Sequence, residues 1–398
     1  MIPWMLWIIV ILPALGGIIL PFISRHETPG TARKFTLLVG GLVALCALGA
    51  LLALGAHTEP PALGIALTWL PGVGEIGLRA SATGLYMVLA LAAALVATLA
   101  LDKGEKSPPP GQLALALGAL AAANIAFLVS NFLGRYAALE IVALLVALAP
   151  LLALNGIRTA GLVYLLLRIG DVGFLVAVLL LRATGTLDID AALAGGSALA
   201  VPVQMWIVGG FLLAVGVKVA IWPFSWWRSV GHQMQRTTDS WLYATVMPLL
   251  GLYLLYRIAP LLTADAALGY LMLGWGALGL LLALVAIGAN LHESRRHIPV
   301  NEIVGSLALI VAGLGALSWV RVLALALAPL QWLAAWLSPA AAPDALETGV
   351  LERVIAALPQ AAKGVGCALQ RWHTGRLRQN LLWIALVLTL ALAVFLTL

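Results

Sequence analysis

Four side chains able to carry charge or a proton lie deep inside apolar runs of the sequence: Glu140, Arg168, Asp171 and Lys218. Each costs about 2.5 to 3.5 kcal/mol to insert in hydrocarbon, so such residues face a bundle interior and mark an ion or proton path. Glu140 stands mid-run in NFLGRYAALEIVALLVALAP, too deep for a short carboxylate to reach water. It therefore either binds a proton or has a cationic or hydrogen-bonding partner. Arg168 and Asp171 occupy i and i+3 of LLLRIGDVGFL, so they share a helix face and can pair with each other; an equal alternative is that they tune a neighbouring site. Lys218, in GGFLLAVGVKVAIWPF, has no acid within reach on its own run. A buried ammonium of that kind finds a carboxylate on another helix or gives up its proton. Pro223 follows five residues later; it frees a backbone carbonyl and kinks or ends the helix. Non-helical backbone at membrane depth persists only where it is packed in protein or lines a wet cavity. A lysine beside such a break is suited to carry a proton.

The elements that must position these groups are membrane spans. The 398-residue chain is 63% hydrophobic and only 10% charged, against about 25% charged in an ordinary soluble domain. Apolar stretches of about 20 residues place spans at 3–22, 34–56, 82–101, 112–129, 131–154, 158–182, 203–222, 240–260, 267–290, 302–319, 321–337 and 379–398. The expected fold is an all-α polytopic transmembrane bundle of about twelve helices. The first stretch lacks a basic leader and a small-residue cleavage site, so it reads as a retained helix. Cations concentrate after alternate spans (Arg25, Arg33, Lys34; Lys103, Lys106; Arg158; Arg228, Arg236; Arg295, Arg296). By the positive-inside rule these loops are cytoplasmic and the N-terminus outside, in a cell inner membrane. This topology and a cationic tail account for the net charge of +6, so nucleic acid is not an expected partner. Tryptophans such as Trp4, Trp7, Trp69, Trp226 and Trp227 fall near predicted helix ends, where indoles anchor at headgroup level.

Chemistry other than ion transfer finds no support. Cys46 and Cys367 are far apart and in no redox or metal-ligand spacing. The sequence has no nucleotide loop, CxxC cluster, haem or flavin signature, so no cofactor, metal or catalytic site of the chain's own is expected.

Together the motifs resemble the antiporter-like subunits of respiratory complex I and Mrp-type cation/proton antiporters, most closely the NuoL type. The segment from Asn131 to Glu140, with Gly134, resembles that family's fifth helix. Arg168, Gly170 and Asp171 are similar to its R-x-G-D sequence in the next helix. Lys218, Pro223 and Trp227 reproduce the spacing of its G-K-x-x-x-x-P-x-x-x-W run on a broken seventh helix, and MPLLGLYLL, from Met247, resembles its eighth. TWLPGVGEIGLRASATGLYMVL and TGRLRQNLLWIALVLTLAL resemble its entry to helix 3 and its final helix. The resemblance implies that Glu140 is the family's acid and Lys218 its central proton carrier. Tyr243 stands where the family has a histidine. With an ordinary pKa near 10 it can relay a proton through hydrogen bonds but hardly carry one.

The family fold pairs two inverted five-helix repeats, and its paths join half-channels at the midplane. Residues 1–111 are expected to form N-terminal helices, 112–260 the first repeat and 261–337 a degraded second repeat without a central lysine. Residues 338–398 then supply an amphipathic lateral segment, bearing Arg353, Lys363, Arg371, Arg376 and Arg378, and a final helix. Such a segment lies on the membrane surface or clasps a neighbouring subunit. The implied function is proton translocation within a multisubunit, complex I-like assembly such as a quinone oxidoreductase. Alternatives are proton influx that energises a non-redox partner, as in inorganic carbon uptake or Mrp-type exchange, and a non-conducting scaffold. Expected partners are other membrane subunits, lipid and protons, with sodium a possible substitute.

Overall fold

The computed structural model describes residues 2–23, 29–55, 62–65, 76–101, 108–154, 157–228, 241–262, 266–292 and 300–337. The final helix at 379–398, the amphipathic segment, Trp69, and loop charges such as Arg25, Lys103, Arg236 and Arg295 lie outside them. One compact unit extends over Met1–Pro339.

Among the described residues thirteen α-helices follow one another: α1 (Ile2–Ile23), α2 (Pro29–Leu54), α3 (Ala82–Leu101), α4 (Pro110–Leu128), α5 (Phe132–Leu154), α6 (Ile157–Leu181), a short α7 (Ile189–Gly196), α8 (Val201–Val219), α9 (Met247–Arg257), α10 (Ala259–Leu262), α11 (Ala266–His292), α12 (Val300–Gly313) and α13 (Leu317–Leu337). Eight are long and apolar enough to cross a membrane, and three shorter apolar helices lie at Leu242–Arg257, Val300–Gly313 and Ser318–Leu327. The protein is a multi-pass membrane protein. With 22 residues, α1 extends about 33 Å at 1.5 Å per residue, enough to span hydrocarbon. Prolines open several helices, as Pro110 does in α4 and Pro202 in α8, because a first-turn proline gives up no helical hydrogen bond.

The structure departs from the sequence expectations in several places, among them these. The expected span 203–222 stops at Val219. The expected span 240–260 starts with a π-helical turn, Leu242–Val246, before α9. Between α6 and α8 the chain also makes a 3-10 turn and the eight-residue α7. Asp188 caps α7 by accepting from the Asp190 and Ala191 amides, each at 3.1 Å. The one sheet among the described residues is an antiparallel hairpin, β1 (Ala62–Ile65) with β2 (Ile76–Arg79). It is sewn to the bundle end by Ser130 N–H to Gly77 O at 2.9 Å. Arg79 of β2 pairs with Asp188 at 3.3 Å and Asp190 at 2.9 Å, and Arg257 of α9 with Asp190 at 2.6 Å. These half-exposed ion pairs tie hairpin, α7 and α9 together at one end of the bundle.

Glycines let α6 and α8 approach closely. A Cβ on Gly170 would meet Val217 Cβ at 2.9 Å, and one on Gly173 would meet Gly210 O at 2.8 Å. Small residues at helix contacts allow this approach, and van der Waals contact then holds the helices without a hydrophobic drive.

Candidate functional site

The close approach of α6 and α8 creates the most buried ion pair in the described structure. Lys218 Nζ donates to Asp171 Oδ1 at 2.6 Å, with side-chain exposures of 0% and 3%. Lys218 thus has its carboxylate on a neighbouring helix, and the carboxylate is Asp171. Arg168, expected as a possible partner of Asp171, turns instead to Glu140 of α5. Arg168 lies one turn before Asp171 on α6, so side chains from α5, α6 and α8 form a chain of alternating charge: Glu140, Arg168, Asp171, Lys218. Swapping partners between helices lets two acids and two bases occupy an apolar region with no net charge, as buried charges require.

The two pairs differ in surroundings. Arg168 and Glu140 are partly exposed, at 30% and 16% of their side chains, and the Arg168 guanidinium lies 4.5 Å over the Tyr164 ring. Tyr136, one turn before Glu140, interacts with that carboxylate. Each acid uses one oxygen for its cation. Asp171 Oδ2 and Glu140 Oε1 are buried without a hydrogen-bond partner among the described residues. On the α7 side, Phe132, Phe174 and Phe211 are fully buried, with centroids 5.4–6.1 Å apart. Phe174 is three residues beyond Asp171 and Phe211 seven before Lys218, so these rings form a dry layer on that side of the pair.

The break after Lys218 is built by the backbone. Ala220 adopts a left-handed conformation (φ 63, ψ 48) and its amide reaches back to Gly216 O and Val217 O; Ile221 N–H donates to Gly216 O at 3.0 Å. This is a Schellman end with alanine where glycine is usual, and the helix stops four residues before Pro223. Indoles cover freed carbonyls: Trp227 Nε1 donates to Val217 O at 2.8 Å, and Trp275 Nε1 of α11 to Trp222 O at 2.7 Å. Trp227, expected as a headgroup anchor, is 1% exposed and belongs to the break. Trp4, at 76%, has the exposure an anchor needs.

Tyr243 is buried in the π-turn. Its hydroxyl donates to Val146 O of α5 at 3.0 Å, and its ring packs 5.6 Å from that of Trp227. The turn thereby holds α5 against the broken segment.

Sequence reasoning passed over Arg135. Its side chain is buried in α5, with Nε donating to Ala126 O at 3.0 Å and Nη2 to Val129 O at 3.4 Å, while its guanidinium lies 5.1 Å from the Tyr253 centroid. It neutralises the carbonyl end of α4. The signal was a basic residue four positions after the Asn131 turn that follows α4.

The described residues hold no cluster that could bind a metal. The class these features define is a polytopic helix bundle with two interhelical ion pairs beside a broken membrane helix. Residues 129–293 match the family described as NADH:quinone oxidoreductase/Mrp antiporter, TM. The chain is similar to NAD(P)H-quinone oxidoreductase chain 4 3 of Picosynechococcus sp., with 29% identity over 276 residues, covering 66% of this chain and 49% of that protein. The chain thus spans about half the length of this curated relative. Its fold is similar to the Mrp complex of Dietzia sp. DQ12-45-1b (TM-score 0.70, 18% identity, 82% of this chain and 36% of that one). It is also similar to respiratory complex I of Thermus thermophilus (0.65, 22%, 84% and 71%) and to an archaeal membrane-bound sulfane sulfur reductase (0.66, 17%, 82% and 69%).

Proposed function

We propose that this protein translocates protons as an antiporter-like subunit of a multisubunit, complex I-like membrane assembly. Lys218 is the carrier and Asp171 its resting partner; Arg168 and Glu140 form a second pair that biases the first. The observation that carries this reading is the fully buried Lys218–Asp171 pair beside a helix end. Approach of a further proton to Asp171 would weaken its hold on Lys218 and favour release of the lysine's proton past the break. Conversely, a shift of Arg168 from Glu140 toward Asp171 would compete with Lys218 for the same carboxylate. Moving one charge across the membrane is worth about 2.3 kcal/mol per 100 mV, so a partner must supply or receive that energy. The matched relative, named as a quinone oxidoreductase chain, favours a redox partner, and the loop cations favour an N-terminus outside an inner membrane.

The test has two arms. In vesicles holding the intact assembly, Lys218→Ala and Asp171→Asn abolish proton movement while assembly is retained; unchanged proton movement refutes the carrier role. Mild-detergent purification of the tagged protein recovers redox subunits. Recovery with a non-redox partner refutes the complex I-like placement and supports gradient-driven influx or exchange.

A further inference from the structure

A tryptophan in the middle of a membrane helix is poorly placed as an anchor, because indoles collect at headgroup level. Trp275 is the tenth residue of α11, about 14 Å from its start at 1.5 Å per residue. An indole N–H at that depth needs an acceptor within the protein. Trp275 Nε1 has one in Trp222 O at 2.7 Å, on the far side of the end of α8. Its ring also meets the near side. A Cβ on Gly216 would run into Trp275 Cη2 and lie 2.6 Å from Cζ2, so the indole fills the space that the missing side chain of Gly216 leaves. Beyond the break Phe224 packs edge-on to the same ring, with centroids 6.5 Å apart. One side chain of α11 thus touches Gly216, Trp222 and Phe224 and bridges the left-handed Ala220 that lies between them.

That bridge reaches the carrier's own backbone. Gly216 is two residues before Lys218, and its carbonyl accepts the Ala220 and Ile221 amides that close α8. The α9 helix bears on the same end, where a Cβ on Gly251 would meet Lys218 Cβ at 3.1 Å. The backbone from which Lys218 reaches Asp171 is therefore held by α9 and by Trp275. A displacement of about 1 Å there takes the 2.6 Å ion-pair contact outside hydrogen-bonding range.

We propose that Trp275 is a positioning residue for the carrier: it staples the two sides of the break and so fixes where Lys218 stands against Asp171. This rests on the carrier reading of Lys218. It gives α11 a part in proton movement, although neither ion pair draws a residue from that helix.

The test pairs Gly216→Ala with Trp275→Phe in the full chain within its intact assembly. Trp275→Phe keeps an aromatic ring and loses the N–H. Proton movement in vesicles falls about fivefold, while the unfolding midpoint in mild detergent stays within about 2 °C of the parent, one hydrogen bond's worth in a chain of this size. Gly216→Ala drives the indole from its seat and lowers proton movement about tenfold or more. The shorter ring of Trp275→Phe clears that seat, so the double variant returns to the level of Trp275→Phe alone. Proton movement left unchanged by Trp275→Phe overturns the proposal. So does a midpoint that falls together with proton movement, the mark of a role in folding alone, and so does failure of Trp275→Phe to rescue Gly216→Ala. Should Gly216→Ala fail to accumulate, Trp275→Phe decides by the same two readings. The outcome is separable from the carrier reading. Proton movement that survives Lys218→Ala refutes the carrier, whereas the coupling of Gly216→Ala with Trp275→Phe in the unfolding midpoint is read without proton movement, and additivity there refutes the staple by itself.

Discussion

A double-mutant cycle on Lys218 and Asp171 tests whether the buried pair acts as a unit. At 2.6 Å and an effective dielectric of about 20, their direct attraction is about 6 kcal/mol. Against it stands the desolvation of both ions, several kcal/mol apiece. The pair is therefore close to neutral for stability, while loss of one partner strands the other. Asp171→Asn and Lys218→Met keep side-chain volume, and each alone costs about 3–5 kcal/mol. The double variant, with no charge left to desolvate, lies within about 1 kcal/mol of the parent. The assay is unfolding in a mild detergent, with each variant's midpoint set beside its proton movement in vesicles. The expected pattern is two unstable single variants and one stable double variant, all three unable to move protons. Additivity of the two single effects within about 0.5 kcal/mol refutes the pairing and the argument built on it.

Four further outcomes follow from the same geometry. Glu140→Gln strands an Arg168 that is partly exposed and still faces Tyr164, so the cost in thermal unfolding falls to about 1–2 kcal/mol, between exposed and buried pairs, while proton movement is lost. Ala220→Gly relieves the left-handed residue that ends α8 and raises stability by about 0.5–1 kcal/mol, relief offset by unfolded-chain entropy. Gly210→Val drives a side chain into the Gly173 backbone of α6; overpacking costs about 3 kcal/mol or more and separates Asp171 from Lys218, read as a lowered midpoint with lost proton movement. Tyr243→Phe removes the hydroxyl bond to Val146, costs about 1 kcal/mol and leaves proton movement within about twofold, since that hydroxyl proton is committed to a carbonyl.

Hydrophobic length carried the helices well. The expected span 82–101 coincides with α3, and 131–154 begins one residue before α5, because a membrane solvent fixes helix length more firmly than local propensity does. Breaks were less legible. Pro223 signalled one, but the helix ends at Ala220, whose left-handed backbone no residue type announced. The four buried charges were readable by type, and their partners were not. Spacing on one helix favours Arg168 with Asp171, whereas the observed partners are chosen by interhelical distance. That distance is set by Gly170, Gly173 and Gly210 through contacts across more than thirty residues of sequence. Arg135 escaped notice because it lies near a helix start, and its fit to the end of α4 emerges only when the two helices pack.

On the proposed reading the two ion pairs do more than hold helices together. A buried pair kept for rigidity would have every lone pair satisfied, since each unmet acceptor weakens it. Here Asp171 Oδ2 has no hydrogen-bond partner among the described residues, so that carboxylate can receive another donor without first releasing its cation. A donor arriving at Asp171 Oδ2 shares the negative charge that holds Lys218, and the only other cation one turn away on α6 is Arg168. On the proposed reading the two pairs are coupled through α6: strengthening Arg168–Glu140 leaves Asp171 to Lys218, and weakening it offers Asp171 a second cation. A stable but inactive double variant in the cycle above would place the worth of the pair in this exchange, because nothing in its stability would require the charges.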